Sequence, residues 1–166
     1  MAKIEFSGID EYSARLQKLG AAGIGICKAA VYEGADEVAD AIRASVQALP
    51  TVDEKSAIAA WRSGRPTDGI TEAQKQGLLK GLSVAKMQTD GGYVNTRIDF
   101  VGYNSVQTRA FPSGQPNAVI ARAMESGSSA RKKQPFVRKA ANAARPRAEA
   151  RMGDKIKDMV DKIMDN

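Results

Sequence analysis

There is no histidine in this chain, and Cys27 is its single cysteine. Together these exclude histidine-based catalytic triads, most metal sites and any intramolecular disulfide. Aromatic residues are scarce, with one Trp, four Tyr and four Phe among 166 residues. The core must therefore rest on Ala, Val, Ile, Leu and Met, and a core of that kind gains from area buried on association. No segment approaches the roughly 18–20 apolar residues that span a bilayer. The opening Met1-Ala2-Lys3-Ile4-Glu5-Phe6 lacks the apolar region of a secretory signal, so a cytoplasmic start is expected. Repeats and low-complexity tracts are absent as well.

What is present is a local excess of positive charge. The formal net charge is +6. Between residues 131 and 151, Arg131, Lys132, Lys133, Arg138, Lys139, Arg145, Arg147 and Arg151 face Glu149 alone. That stretch carries +7, so the remainder sums to −1.

Periodicity outlines the elements. Alternation at Lys3–Phe6 predicts a short strand. Ile9, Tyr12, Leu16 and Leu19 recur at helical spacing, and Gly20 and Gly23 are expected to end or bend that helix. The strongest pattern is the stripe Ile24, Cys27, Val31, Ala35, Val38, Ile42, Val46 and Leu49, which predicts a long helix to about Ala48, ended by Pro50. Cys27 lies on the stripe, so it reads as a buried small hydrophobe rather than a reactive thiol. Glu33, Asp36, Glu37 and Asp40 stand between the apolar positions and read as a solvated face, not as paired catalytic carboxylates.

Residues 50–77 read mainly as a long loop, which in a compact domain is functional or mobile. Within it Asp53 suits the cap of a short helix to Trp61, and Thr71-Glu72-Ala73-Gln74 fits a capping box. Trp61 has two readings, a local anchor on the core or a hot spot for a partner. A hairpin follows: Leu82–Gln88, a turn at Asp90-Gly91-Gly92, and a return over Tyr93–Tyr103 with Val94, Thr96, Ile98 and Phe100 on one face. The glycine pair lacks the Lys-Ser/Thr ending of a phosphate loop, so the turn reading wins. Asn117–Ser126 predicts a helix with Val119, Ile120, Ala123 and Met124 inward and Gly127 as its stop. Pro135 starts a last helix, which Pro146 is expected to kink or split. Its late residues, Asp154–Asn166, read as an exposed amphipathic tail.

The sum is an α+β fold, with a long N-terminal helix and a C-terminal helix packed on a small antiparallel sheet with a central hairpin. One domain over 1–145 is expected, followed by an amphipathic helical extension over 146–166.

Three short segments, in this order, resemble one family. They are Gly77-Leu78-Leu79-Lys80-Gly81-Leu82 leading into the hairpin, Met124-Glu125-Ser126-Gly127-Ser128, and Gln134-Pro135-Phe136-Val137-Arg138-Lys139-Ala140. The opening Leu16-Gln17-Lys18-Leu19-Gly20 before an Ala-rich helix is similar too. Over roughly residues 9–144 the chain resembles the tail-component family of lambda-like long-tailed phages, the tail-completion or head–tail joining proteins, with minor tail protein Z as a relative. The resemblance implies a virion protein of the tail or neck, assembled in the bacterial host cytoplasm. It implies a hexameric ring of identical subunits that meets the tail-tube protein and the connector proteins, with DNA passing through without sequence recognition. It implies no enzyme, no cofactor and no membrane. The motif residues Gly77, Leu79, Leu82, Glu125, Gly127, Pro135, Phe136 and Ala140 are expected to act structurally. The basic stretch and Trp61 are expected to form the interface.

The alternative from the residues alone is a small nucleic-acid-binding module that uses 131–151 as a phosphate footprint. Against it, Phe136 is the one aromatic there for stacking.

Overall fold

The structure, a computed structural model, describes residues 8–165; the strand expected at Lys3–Phe6 lies outside them. The first element, α1, runs unbroken over Ile9–Gln47. Gly20 and Gly23 neither end nor bend it into two. A helical glycine costs about 1 kcal/mol against alanine, a penalty that packing along the helix can outweigh. The packing is supplied by α5, Val137–Met164, which lies antiparallel to α1. The Arg15 guanidinium donates to the Met164 carbonyl (2.6 Å) near one end, and the Ser45 hydroxyl to the Phe136 carbonyl (3.2 Å) near the other.

The seam between them advances in steps of four. On α1 it is Ile26, Ala30, Gly34, Val38, Ile42 and Val46; on α5 it is Ala140, Ala144, Ala148 and Met152. Small residues let the backbones approach. A Cβ on Gly34 would stand 2.6 Å from the Met152 sulfur. Four residues overshoot one helical turn by about 40°, so this row rotates away from the expected stripe toward the N-terminus. The two coincide at Val38, Ile42 and Val46, then part. Cys27 and Ile24 are consequently exposed, contrary to the buried position expected for Cys27. Ile9, Tyr12 and Leu16 are exposed for the same reason.

α5 continues through Pro146 without interruption. Pro146 and its neighbours Arg145 and Arg147 face solvent while Ala144 and Ala148 are buried on α1, so packing on both sides of the proline holds the helix together. Residues 146–164 thus continue the helix that lies on α1, with Met159, Val160, Ile163 and Met164 half-buried.

At the opposite end the remaining elements wrap α1. The expected loop at 50–77 contains two helices, α2 (Glu54–Arg62) and the start of α3 (Glu72–Gly81). The Asp53 carboxylate accepts from the Ser56 amide (2.9 Å), which also draws its pKa down. Thr71 and Gln74 form the full capping box. β1 (Leu82–Val84) pairs with β4 (Ile98–Phe100), and β2 (Gln88–Asp90) with β3 (Tyr93–Asn95), all antiparallel. Between the two ladders residues 85–87 oppose 96–97, a bulge of one residue. The Thr96 hydroxyl donates to the Ala85 carbonyl there (2.6 Å). Gly91 and Gly92 close the hairpin with φ of 53° and 89°, the conformation of a tight primed turn.

α4 (Asn117–Ser126) is the expected helix, but Val119 points outward and Ala121 inward with Ile120 and Met124. The core joins Ile42, Val46, Leu49, Ile70, Leu78, Leu82, Ile120, Met124, Phe136 and Ala140. The fold is α+β, as expected.

Candidate functional site

The basic stretch is divided by the fold. Arg147 and Arg151 face the α1 carboxylates: Arg147 lies 2.6 Å from Glu37, and Arg151 lies 3.2 Å from Glu37 and 3.1 Å from Glu33. Lys155 extends the ladder to Glu33 at 3.5 Å. Glu33 and Glu37 flank the seam and are half-buried, so they are not the solvated face expected of them; Asp36 and Asp40 are. Hydrogen bonds from Arg147, then Arg151, hold the Glu37 carboxyl below its ordinary range. Arg145 pairs with Glu149, Lys132 with Asp68, and Arg138 stands 3.9 Å from Glu125. Lys133 and Lys139 make no ion pair among the described residues.

Arg131 behaves differently. Its guanidinium donates to the Gln74 side-chain oxygen (2.7 Å) and the Gly69 carbonyl (2.6 Å), and burial draws its pKa down. Gln74 in turn donates to Gln115 (2.6 Å), and the Asn104 amide to the Gln115 carbonyl (3.0 Å). This chain of neutral acceptors ties the 67–74, 104–115 and 128–134 segments into one unit. Sequence reasoning missed it, because isolated polar residues in loops carry no periodic signal.

The family-like segments have structural work. Gly77 and Gly81, one turn apart on α3, let the helix lie against residues 101–104 and Asn117. A Cβ on Gly77 would stand 2.5 Å from Asn104 Cβ, and one on Gly81 would strike the Val101 carbonyl. Leu82 is buried in the core, and Leu79 packs at its edge. Gly127 stops α4 with φ of 80°. Glu125 then reaches across to α5: its carboxylate accepts from the Val137 amide (2.9 Å) and the Arg138 amide (3.2 Å). Pro135 precedes that helix, and Phe136 is buried beside Phe100, ring centroids 5.9 Å apart. A negative charge on the free N–H groups of a helix start is favoured by both hydrogen bonding and dipole.

The surface is unusually aromatic for so poor a sequence. Trp61 is 72% exposed, Tyr93 80% and Tyr103 69%, and Tyr12 and Tyr32 are exposed as well. Trp61 is therefore no anchor on the core. α2 contributes no buried residue; Lys55, Ile58, Ala59, Arg62 and Ser63 line a shallow, open trough along it. A second shallow depression lies between the starts of α2 and α3 and residues 105–107. Among the described residues no group of three metal-ligating side chains occurs, and no helix is long and apolar enough to cross a membrane.

These features define an α+β chain with a two-helix arm, a polar-stapled core and aromatic outer faces. Comparison with family models, curated proteins and solved structures returns no match for the chain.

Proposed function

We propose that this chain is a structural subunit of the tail or neck of a long-tailed phage or prophage. In this reading it forms a hexameric ring that ends tail-tube growth or helps connect tail to head. The phage assignment rests on the resemblance of the three ordered segments. The observation that carries an assembly role is the exposure of the single Trp and all four Tyr. Tyr and Trp are enriched where proteins meet, and a chain this poor in aromatics would bury them first if its own core were the end of the matter.

The nucleic-acid alternative is weakened because six of the eight cations in 131–151 already bond within the chain. Those pairs leave Lys133 and Lys139 as its least committed charges. DNA passing through a ring would still meet a positive surface without base readout.

The test is co-assembly. The purified chain, mixed with the tail-tube protein of the same phage or prophage, should appear in negative stain as a ring capping tubes of limited length. Tubes that grow uncapped to the same lengths with and without the chain would refute the proposal.

A further inference from the structure

Among the described residues, two apolar faces lie unpartnered at opposite ends of α1 and carry opposite charge. At one end is the tip of the arm, where Ile9, Tyr12 and Leu16 are 57%, 56% and 46% exposed. Around them residues 9–15 and 158–165 hold five acids against Arg15 and Lys162, a net −3. At the other end is α2, with Ile58 and Trp61 outward. Residues 54–65 hold Lys55, Arg62 and Arg65 against Glu54, a net +2, and none of the three cations makes an ion pair among the described residues. α2 begins just past the C-terminal end of α1, near which Lys75 bonds the Leu49 carbonyl (3.0 Å). The arm tip is the other end of a 39-residue helix, roughly 55 Å away at 1.5 Å per residue. The two faces cannot meet within one chain.

We propose that the acidic arm tip of one copy docks on the basic, Trp61-bearing face of α2 on the next. The occupant of each face is thus a second copy of this chain. Leu16 and Tyr12 supply the apolar contact to Ile58 and Trp61; Asp10 and Glu11 approach Arg62 and Arg65. The two surfaces differ, so the contact is head-to-tail, and such contacts close into rings when the rotation between copies permits. This deepens the ring reading and rests on it only for closure. The contact itself depends on no phage assignment.

Two variants test it, Trp61→Glu and Leu16→Glu, both at exposed sites, with melting curves confirming that each folds. The wild type is expected to assemble, and each variant alone to be monomeric by light scattering. Mixed one to one, they should form a dimer and nothing larger, since the mixture holds one intact tip and one intact α2 face. Trp61 of the Leu16→Glu chain is then the only tryptophan in solution. Its emission should shift to the blue as the Trp61→Glu chain is titrated in, and lose that shift at high salt. A mixture that stays monomeric, or either variant assembling like the wild type, overturns the contact while leaving the ring reading standing. A wild type that is monomeric at every concentration overturns the contact, and the ring reading with it when the chain also fails to cap tubes.

Discussion

Replacing Gly81 by alanine should destabilise this protein, although the same change in most helices would stabilise it. Alanine gains about 1 kcal/mol over glycine in a helix interior. At Gly81, however, the new methyl would run into the Val101 carbonyl and stand 2.6 Å from the Asn117 side-chain amide. That amide donates to the same carbonyl at 2.8 Å. Overpacking costs about 1–3 kcal/mol, and loss of that part-buried hydrogen bond about 0.5–1.5 kcal/mol more. After the propensity gain, a net loss of about 0.5–3.5 kcal/mol remains, centred near about 2 kcal/mol. For a chain of this size a central loss of about 2 kcal/mol lowers the melting temperature by about 4–8 °C. Gly153→Ala is the control: it lies in the interior of α5 with nothing within 4 Å of the added Cβ, so it should gain up to about 1 kcal/mol. Urea unfolding at fixed protein concentration measures both. Gly81→Ala and Gly153→Ala stabilising alike would refute the close approach of α3 to residues 101–104.

Two further outcomes follow from the capping and ion-pair geometry. Glu125→Ala removes the acceptor for two amides at the start of α5 and should cost about 1–2 kcal/mol in the same unfolding assay; Glu125→Gln, which keeps one acceptor oxygen, should cost less. The Glu37 carboxyl is held below its ordinary value of 4.5 by Arg147 and Arg151. A depressed folded pKa means its contribution is complete above that ordinary value and is lost as pH falls through the lowered one. Glu37→Gln should therefore be less stable than the wild type at neutral pH, with the gap narrowing as pH falls below the ordinary carboxyl value. A gap between them that stays constant down the whole acid limb would contradict the ladder.

Much of the fold was legible because its signals are local. Pro50 ends the apolar stripe of α1, Asp53 and Thr71 cap α2 and α3, Gly91-Gly92 turns the hairpin, and Gly127 stops α4. What was not legible depends on the partner each residue meets. A three-and-four stripe and a strict four-residue row share Val38, Ile42 and Val46, and they separate only once α5 sets the direction of the seam; Cys27 and Ile24 were misplaced by that rotation. Glu33 and Glu37 look solvated until Arg147 and Arg151 arrive from more than a hundred residues away. Of the candidate interface, Trp61 is outward, whereas Arg131, Arg147 and Arg151 serve the chain's own packing. The glycines at 20, 23 and 25 have open space around them among the described residues, whereas the sequence alone predicted a stop or bend at Gly20 and Gly23.

The most direct test of the assembly reading is the mass of the wild-type chain in solution, by light scattering after size exclusion, at low and high salt and with a short DNA duplex. A ring-forming subunit should give one discrete multiple of 17.7 kDa that a duplex does not create or change. A monomer at every concentration that binds the duplex tightly, and releases it as salt rises, would contradict that reading and favour a nucleic-acid-binding module.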